Sequence, residues 1–74
     1  MKLVELNEGT RKELVSGELE DLVAWLQKNP EECNWVLDED PDMEIPDLSN
    51  IESLQDLEFE LKKIDLSWWT LVIE

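Results

Sequence analysis

Six carboxylates occur within the ten residues from 38 to 47, and no base accompanies them. They are Asp38, Glu39, Asp40, Asp42, Glu44 and Asp47. Such a stretch is a metal-binding loop, a solvated linker or a negative surface. Asp38, Asp40 and Asp42 match the first three ligand positions of an EF-hand loop, but Met43 stands where that loop needs glycine and Ser49 where it needs a bidentate glutamate. We therefore expect no metal site.

Catalytic residue types are also scarce. The chain has no histidine, so the usual general base and zinc ligand are both missing. Cys33 is the only cysteine and lacks a histidine to activate it, and Gly9 and Gly17 are the only glycines, too few for a phosphate-binding loop. We expect no enzyme activity and no cofactor.

Net charge sets this sequence apart. Twenty acids oppose six bases, which gives −14, whereas a small soluble domain usually carries about 2–8 net charges. Residues 29–61 contain twelve acids and no base. This sign argues against direct binding to nucleic acid or an anionic membrane and favours a basic protein as partner. The sequence does not indicate the oligomeric state.

The remaining bulk features predict one cytoplasmic domain. A single cysteine excludes an intrachain disulfide and is typical of a reducing compartment. The first residues lack the apolar core of a secretory signal, and no apolar run is long enough for a membrane span. Seventy-four residues suffice for one small domain, residues 1–74.

In the N-terminal half, residues 1–6 favour a strand and "NEG" favours a turn. "TRKE" then has the form of a capping box, which predicts a first helix from Thr10. A second helix over residues 17–30 has its apolar residues at i, i+3, i+4 and i+7, and Pro30 ends it. "CNWVL" predicts a short strand.

The C-terminal half is ambiguous. Ile51, Leu54, Leu57, Leu61 and Ile64 fit a helical stripe, yet "LEFELK" alternates and "WWTLVIE" is rich in strand-forming residues. We expect one helical turn near 50–55 and antiparallel strands at 56–64 and 67–73. The predicted fold is α+β, with one or two N-terminal helices on an antiparallel sheet of three to four strands; the rival is a mostly α chain with a longer C-terminal helix.

This predicted geometry suggests a partner-binding surface. If extended, residues 38–47 span about 33 Å, which gives about one charge per 5.5 Å. Glu58 and Glu60 would point from one face of a strand, about 7 Å apart. Trp69 would face the core and Trp68 the opposite side, where a partly exposed tryptophan is typical of a binding hot spot; alternatively, Trp68 packs under the 38–50 loop.

Two functions fit these features. In the first, the acids occupy a basic, nucleic-acid-binding or nuclease surface of a partner and inhibit it. In size and composition the chain resembles DNA-mimic inhibitors such as anti-restriction and anti-CRISPR proteins, and acidic immunity proteins against nuclease toxins. In the alternative, the chain is a small adaptor or accessory subunit that binds through Trp68 and an apolar sheet surface, with the acids serving solubility.

Overall fold

A three-stranded antiparallel sheet carries all of the helices on one face. The computed structural model describes residues 1–74. Its elements, in chain order, are β1 (Lys2–Asn7), β2 (Thr10–Ser16), α1 (Leu19–Lys28), α2 (Glu31–Asn34), α3 (Val36–Glu39), α4 (Leu54–Leu61), a 3₁₀ turn (Lys62–Ile64) and β3 (Trp69–Ile73). The strand order is β2-β1-β3. The predicted α+β class is confirmed, although the chain begins with strands rather than helices.

The first two strands form a hairpin. Glu8 and Gly9 both have positive φ, 50° and 87°, as a two-residue turn of type I′ requires. Asn7 pairs with Thr10 across this turn, and the Thr10 hydroxyl donates to the Asn7 carbonyl. The prediction of a helix from Thr10 is therefore wrong, because the turn residues direct the chain back along β1.

A β-bulge lies in this hairpin. Leu3 pairs with Val15 and Val4 pairs with Glu13, so Leu14 is the extra residue. Leu14 and Val15 both pack against the core, which strict alternation along a strand would prevent.

Helix α1 confirms the clearest sequence prediction. The Glu18 N–H donates to the Asp21 carboxylate over 2.9 Å at the start of the helix, and Leu22 and Leu26 are fully buried. Gly17 precedes it at φ 149°, where a Cβ would lie only 2.5 Å from an Asp21 carboxylate oxygen. Glycine is therefore required at the junction between β2 and α1.

The segment "CNWVL" is helical rather than extended. It contributes to α2 and α3, which are four residues each. Cys33 and Val36, three residues apart, both reach the core, and that spacing brings two side chains to one face of a helical turn but to opposite faces of a strand.

The predicted strand at 56–64 is likewise a helix followed by the 3₁₀ turn. Ser53 caps α4 by accepting from the Asp56 N–H over 3.2 Å, and the Asp56 carboxylate accepts from the Ser53 N–H over 3.2 Å. Leu57, Leu61 and Ile64 are buried at helical spacing. The alternative prediction, a helix in the C-terminal half, is confirmed for α4. The predicted final strand is present as β3.

One hydrophobic cluster joins the sheet to the helices. It contains Leu3, Trp69 and Leu71 from the sheet together with buried residues of α1 to α4 and of the 3₁₀ turn. Trp69 and Leu71 are buried as predicted, and Ile73 is half-buried. None of the helices combines the length and apolar character needed to cross a membrane.

Candidate functional site

The excess negative charge is concentrated on the helical side of the sheet. Residues 1–17, which form the hairpin, carry three bases and three acids, and residues 62–74 carry two of each. Twelve of the fourteen net charges therefore fall within residues 29–61. This segment packs against the sheet face formed by Leu3, Trp69 and Leu71, so the acids cover the side that carries the helices.

The first acids of the 38–47 stretch lie on α3 and the turn after it. Asp38, Glu39 and Asp42 are exposed, while the half-buried Asp40 accepts a 3.2 Å hydrogen bond from the Asp42 N–H. The expected extended span of about 33 Å is wrong, since Asp38 and Glu39 belong to a helical turn and the longest dimension of the whole protein is 30 Å. Helical rise brings these carboxylates closer together than a strand would.

The later acids gather around one base. Lys63 lies 2.9 Å from Glu60 and 3.8 Å from Glu44, and Glu60 also accepts from the Asp47 N–H over 2.7 Å. The hydrogen bond from Lys63 lowers the pKa of Glu60, and the hydroxyl and N–H of Ser49 lower that of Asp47. These contacts fix the loop to α4 and partly neutralise that end of the surface.

Glu58 and Glu60 do not share a face. Both lie on α4, where residues two apart point in nearly opposite directions. Glu60 turns to the 44–47 loop, whereas Glu58 lines a groove beside β3. The predicted strand pair of carboxylates is therefore wrong, because its premise of a strand is wrong.

Trp68 is partly exposed, as predicted, at 41%. It precedes β3 rather than belonging to it, so strand alternation does not separate it from Trp69. Both rings approach Trp35, with centroids 5.7 Å from Trp35 for Trp68 and 4.8 Å for Trp69. The three rings form one aromatic cluster, in which Trp69 is buried and Trp68 borders solvent.

Ion pairs cover part of the outer sheet face. Lys2 contacts Glu13 at 3.1 Å, Arg11 contacts Glu13 at 3.3 Å, and the Arg11 Nε donates to Glu74 over 3.1 Å. Val4 lies on this face and is fully buried, yet it is outside the main core cluster. The network therefore engages two of the three hairpin bases on the outer face, so that neither of them offsets the acids of the helical side.

A pair of carboxyl groups links α2 to the sheet. Burial, followed by the hydrogen bond with Glu5 and the charge of Glu5, raises the pKa of Glu32 to about 7. The same hydrogen bond lowers the pKa of Glu5, with smaller contributions from Trp69 and Lys12. Because the pKa of Glu32 is raised and that of Glu5 is lowered, Glu32 is the member of the pair that binds a proton as pH falls below about 7. One oxygen of the Glu32 carboxyl group, Oε1, is buried without a hydrogen-bond partner, which costs free energy of folding.

Sequence reasoning missed two features of this surface. Phe59 is 64% exposed, with the Lys63 ammonium 5.4 Å from its ring centroid; its exposure follows from the helical stripe that buries Leu57 and Leu61. The Glu5–Glu32 pair has no signal in the sequence, because the fold alone brings these two residues together.

The surface offers exposed carboxylates and aromatic rings. No three of its acidic and cysteine side chains converge to hold a metal ion. No protein-family model, no curated protein and no solved structure matches this chain. Exposed carboxylates attract cationic groups, and Trp68 and Phe59 offer apolar contact at the surface.

Proposed function

We propose that this protein inhibits a basic partner protein by covering the positively charged surface with which that partner binds or cleaves nucleic acid. The observation that supports this is the segregation of charge. Twelve of fourteen net negative charges fall within residues 29–61, and this segment packs on one face of the sheet.

Electrostatics gives this arrangement a kinetic advantage. A surface of one sign steers an oppositely charged partner during diffusion and raises the association rate by a factor of about 10 to 1,000 at low salt. Asp38, Glu39 and Asp42 are exposed and accept no hydrogen bond from another side chain, so their full charge is available. Glu44 and Glu60 contribute less, because Lys63 is paired with both.

A matched pair of variants tests the proposal. The test variant combines Asp38→Lys, Glu39→Lys and Asp42→Lys, and the control combines Glu8→Lys, Glu20→Lys and Asp65→Lys at exposed positions outside residues 29–61. Each substitution adds two positive charges, so both variants carry −8 in place of −14. A difference between them therefore reports the position of the charges and not their number.

The assay is capture of proteins from a lysate of the cells in which the gene occurs, followed by release with salt and with heparin. We expect nucleic-acid-binding proteins to be retained at about 50 mM salt, released by about 200 mM and displaced by heparin. The test variant loses them and the control keeps them. Retention that resists both salt and heparin, or equal loss from the two variants, would contradict the proposal.

The adaptor function remains the second candidate because of Trp68. This side chain is 41% exposed within an aromatic cluster, and exposed tryptophan is enriched at binding hot spots. Under this function the captured partner survives the salt wash, and Trp68→Ala releases it while the Asp38, Glu39 and Asp42 reversals do not.

A further inference from the structure

The two edges of the sheet differ in how they are protected. At the β2 edge, Arg11, Lys12 and Glu13 are exposed and the strand contains a bulge, which are devices that discourage pairing with another strand. The β3 edge has neither. Its five residues, Trp69–Ile73, include no charge, no proline and no bulge.

The free backbone groups of β3 can be assigned from its pairing. Lys2 and Glu74 exchange reciprocal hydrogen bonds of 2.7 and 2.9 Å, and Val72 is next in register opposite Val4. In an antiparallel ladder, alternate residues point their N–H and C=O groups away from the partner strand. Leu71 and Ile73 therefore direct both groups to the open edge, where no hydrogen bond within the protein engages them.

A groove of about 220 Å³ runs along this edge. Residues 70–73 line one side of it, and residues of α4 and of the following turn line the other. Leu61 gives that second side its apolar part, and the carboxylates of Glu58 and Asp65 flank it without an ion-pair partner. One base, Lys62, also lines the groove.

We propose that the β3 edge accepts an extended, basic segment of a partner protein as a fourth strand. Main-chain hydrogen bonds to Leu71 and Ile73 would supply affinity, and Lys or Arg side chains of the added strand would meet Glu58 and Asp65. A second copy of this chain is disfavoured as occupant, since both molecules carry −14. The site goes beyond the proposed function, because this pairing uses none of the carboxylates at 38–47.

The probe is a heptapeptide of alternating lysine and valine. A peptide of alternating lysine and proline has the same charge but cannot form a ladder, and one of alternating glutamate and valine reverses the charge. Amide hydrogen exchange is measured by NMR with and without each peptide. In the free protein, the amides of Leu71 and Ile73 exchange faster than that of Val72; the lysine–valine peptide protects both, and the other two peptides protect neither.

Two variants at one position separate backbone from side-chain effects. Ile73→Pro removes the free N–H, while Ile73→Ala shortens the side chain and keeps it. We expect the proline variant to bind the lysine–valine peptide about tenfold more weakly than the alanine variant, as for the loss of one hydrogen bond. If the proline variant does not fold, exchange in Ile73→Ala still reports protection at Leu71.

Three results would overturn the proposal. The lysine–proline peptide could bind as tightly as the lysine–valine peptide, which would indicate charge attraction without strand pairing. Peptide-induced changes could be confined to residues 38–47. Protection of Leu71 and Ile73 could instead rise with protein concentration in the absence of peptide, which would make a second copy the occupant. If the Asp38, Glu39 and Asp42 reversals fail to release a partner, the proposed function fails, but the peptide result at the β3 edge is unaffected.

Discussion

Replacement of Glu32 by glutamine should stabilise the protein at alkaline pH and have little effect at acid pH. The folded state raises the pKa of Glu32 from 4.5 to about 7, chiefly through burial. Between these two values the native state binds more protons than the unfolded chain, so the free energy of unfolding falls as pH rises from about 4.5 through about 7. Glutamine is uncharged at every pH and its amide can still donate to Glu5.

The size of this effect follows from the shift. A shift of one pKa unit is equivalent to about 1.4 kcal/mol, which gives about 3.4 kcal/mol as an upper limit for Glu32. Because the side chain is partly exposed, solvent screening reduces this to about 1–2 kcal/mol. In a domain of this size the midpoint of thermal unfolding should rise by about 5–10 °C at pH 8.5.

Thermal unfolding followed by circular dichroism at pH 4.5 and pH 8.5 measures the effect. Glu31→Gln is the matched control, because Glu31 is the exposed neighbour of Glu32 and its substitution removes the same charge. It reports the general relief of self-repulsion in a chain of −14. The reasoning is refuted if Glu32→Gln gains no more than Glu31→Gln at pH 8.5, or if its gain is the same at both pH values.

Four further measurements test the fold and its charge. Ser53→Ala removes the acceptor for the Asp56 N–H and should lower the free energy of unfolding in urea by about 1 kcal/mol, whereas an unchanged midpoint would show that the cap is not formed. Gly17→Ala should cost about 1–3 kcal/mol in the same assay, because the new Cβ meets Asp21 at a φ of 149°; a stability equal to that of the native sequence would contradict this junction geometry. The midpoint of thermal unfolding should rise between low and moderate salt, as screening relieves repulsion among the acids, and a midpoint indifferent to salt would argue against crowding. Cys33 is 5% exposed and burial raises its pKa to about 11, so a thiol reagent should label it at the rate of unfolding, and rapid labelling of the native protein would exclude the buried position.

Elements with a single strong signal were predictable from the sequence. Helix α1 combines an apolar stripe with Pro30 as its end, and no other structure satisfies both. β3 follows from its β-branched and aromatic composition. In both elements, local preference and tertiary packing favour the same conformation.

Elements with two competing signals were assigned wrongly. "TRKE" has the form of a capping box, but the Glu8–Gly9 turn directs Thr10 into β2. "LEFELK" alternates like a strand, yet the Ser53–Asp56 cap and the burial of Leu57 and Leu61 favour α4. Burial of whole side chains against the sheet outweighs the weak preference expressed by alternation.

The candidate site was predictable in composition and not in geometry. The exposure of Asp38, Glu39 and Asp42 follows from their charge, because unpaired carboxylates remain in water. The ion pairs of Lys63 and the contact between Glu5 and Glu32 join residues from separate elements. Such contacts depend on the packing of α2 and α4 against the sheet, which local sequence does not determine.

The ion-pair network on the outer sheet face makes the molecule a strong electric dipole. Arg11 and Lys2 are held beside Glu13 and Glu74, so that end of the protein is nearly neutral while the helical side is densely negative. In the field of any cationic surface the protein experiences a torque before contact and arrives with its helices foremost. On a positively charged resin it will therefore adsorb with the outer sheet face away from the resin, where the Lys2 side chain, 48% exposed, remains accessible to amine-reactive labels.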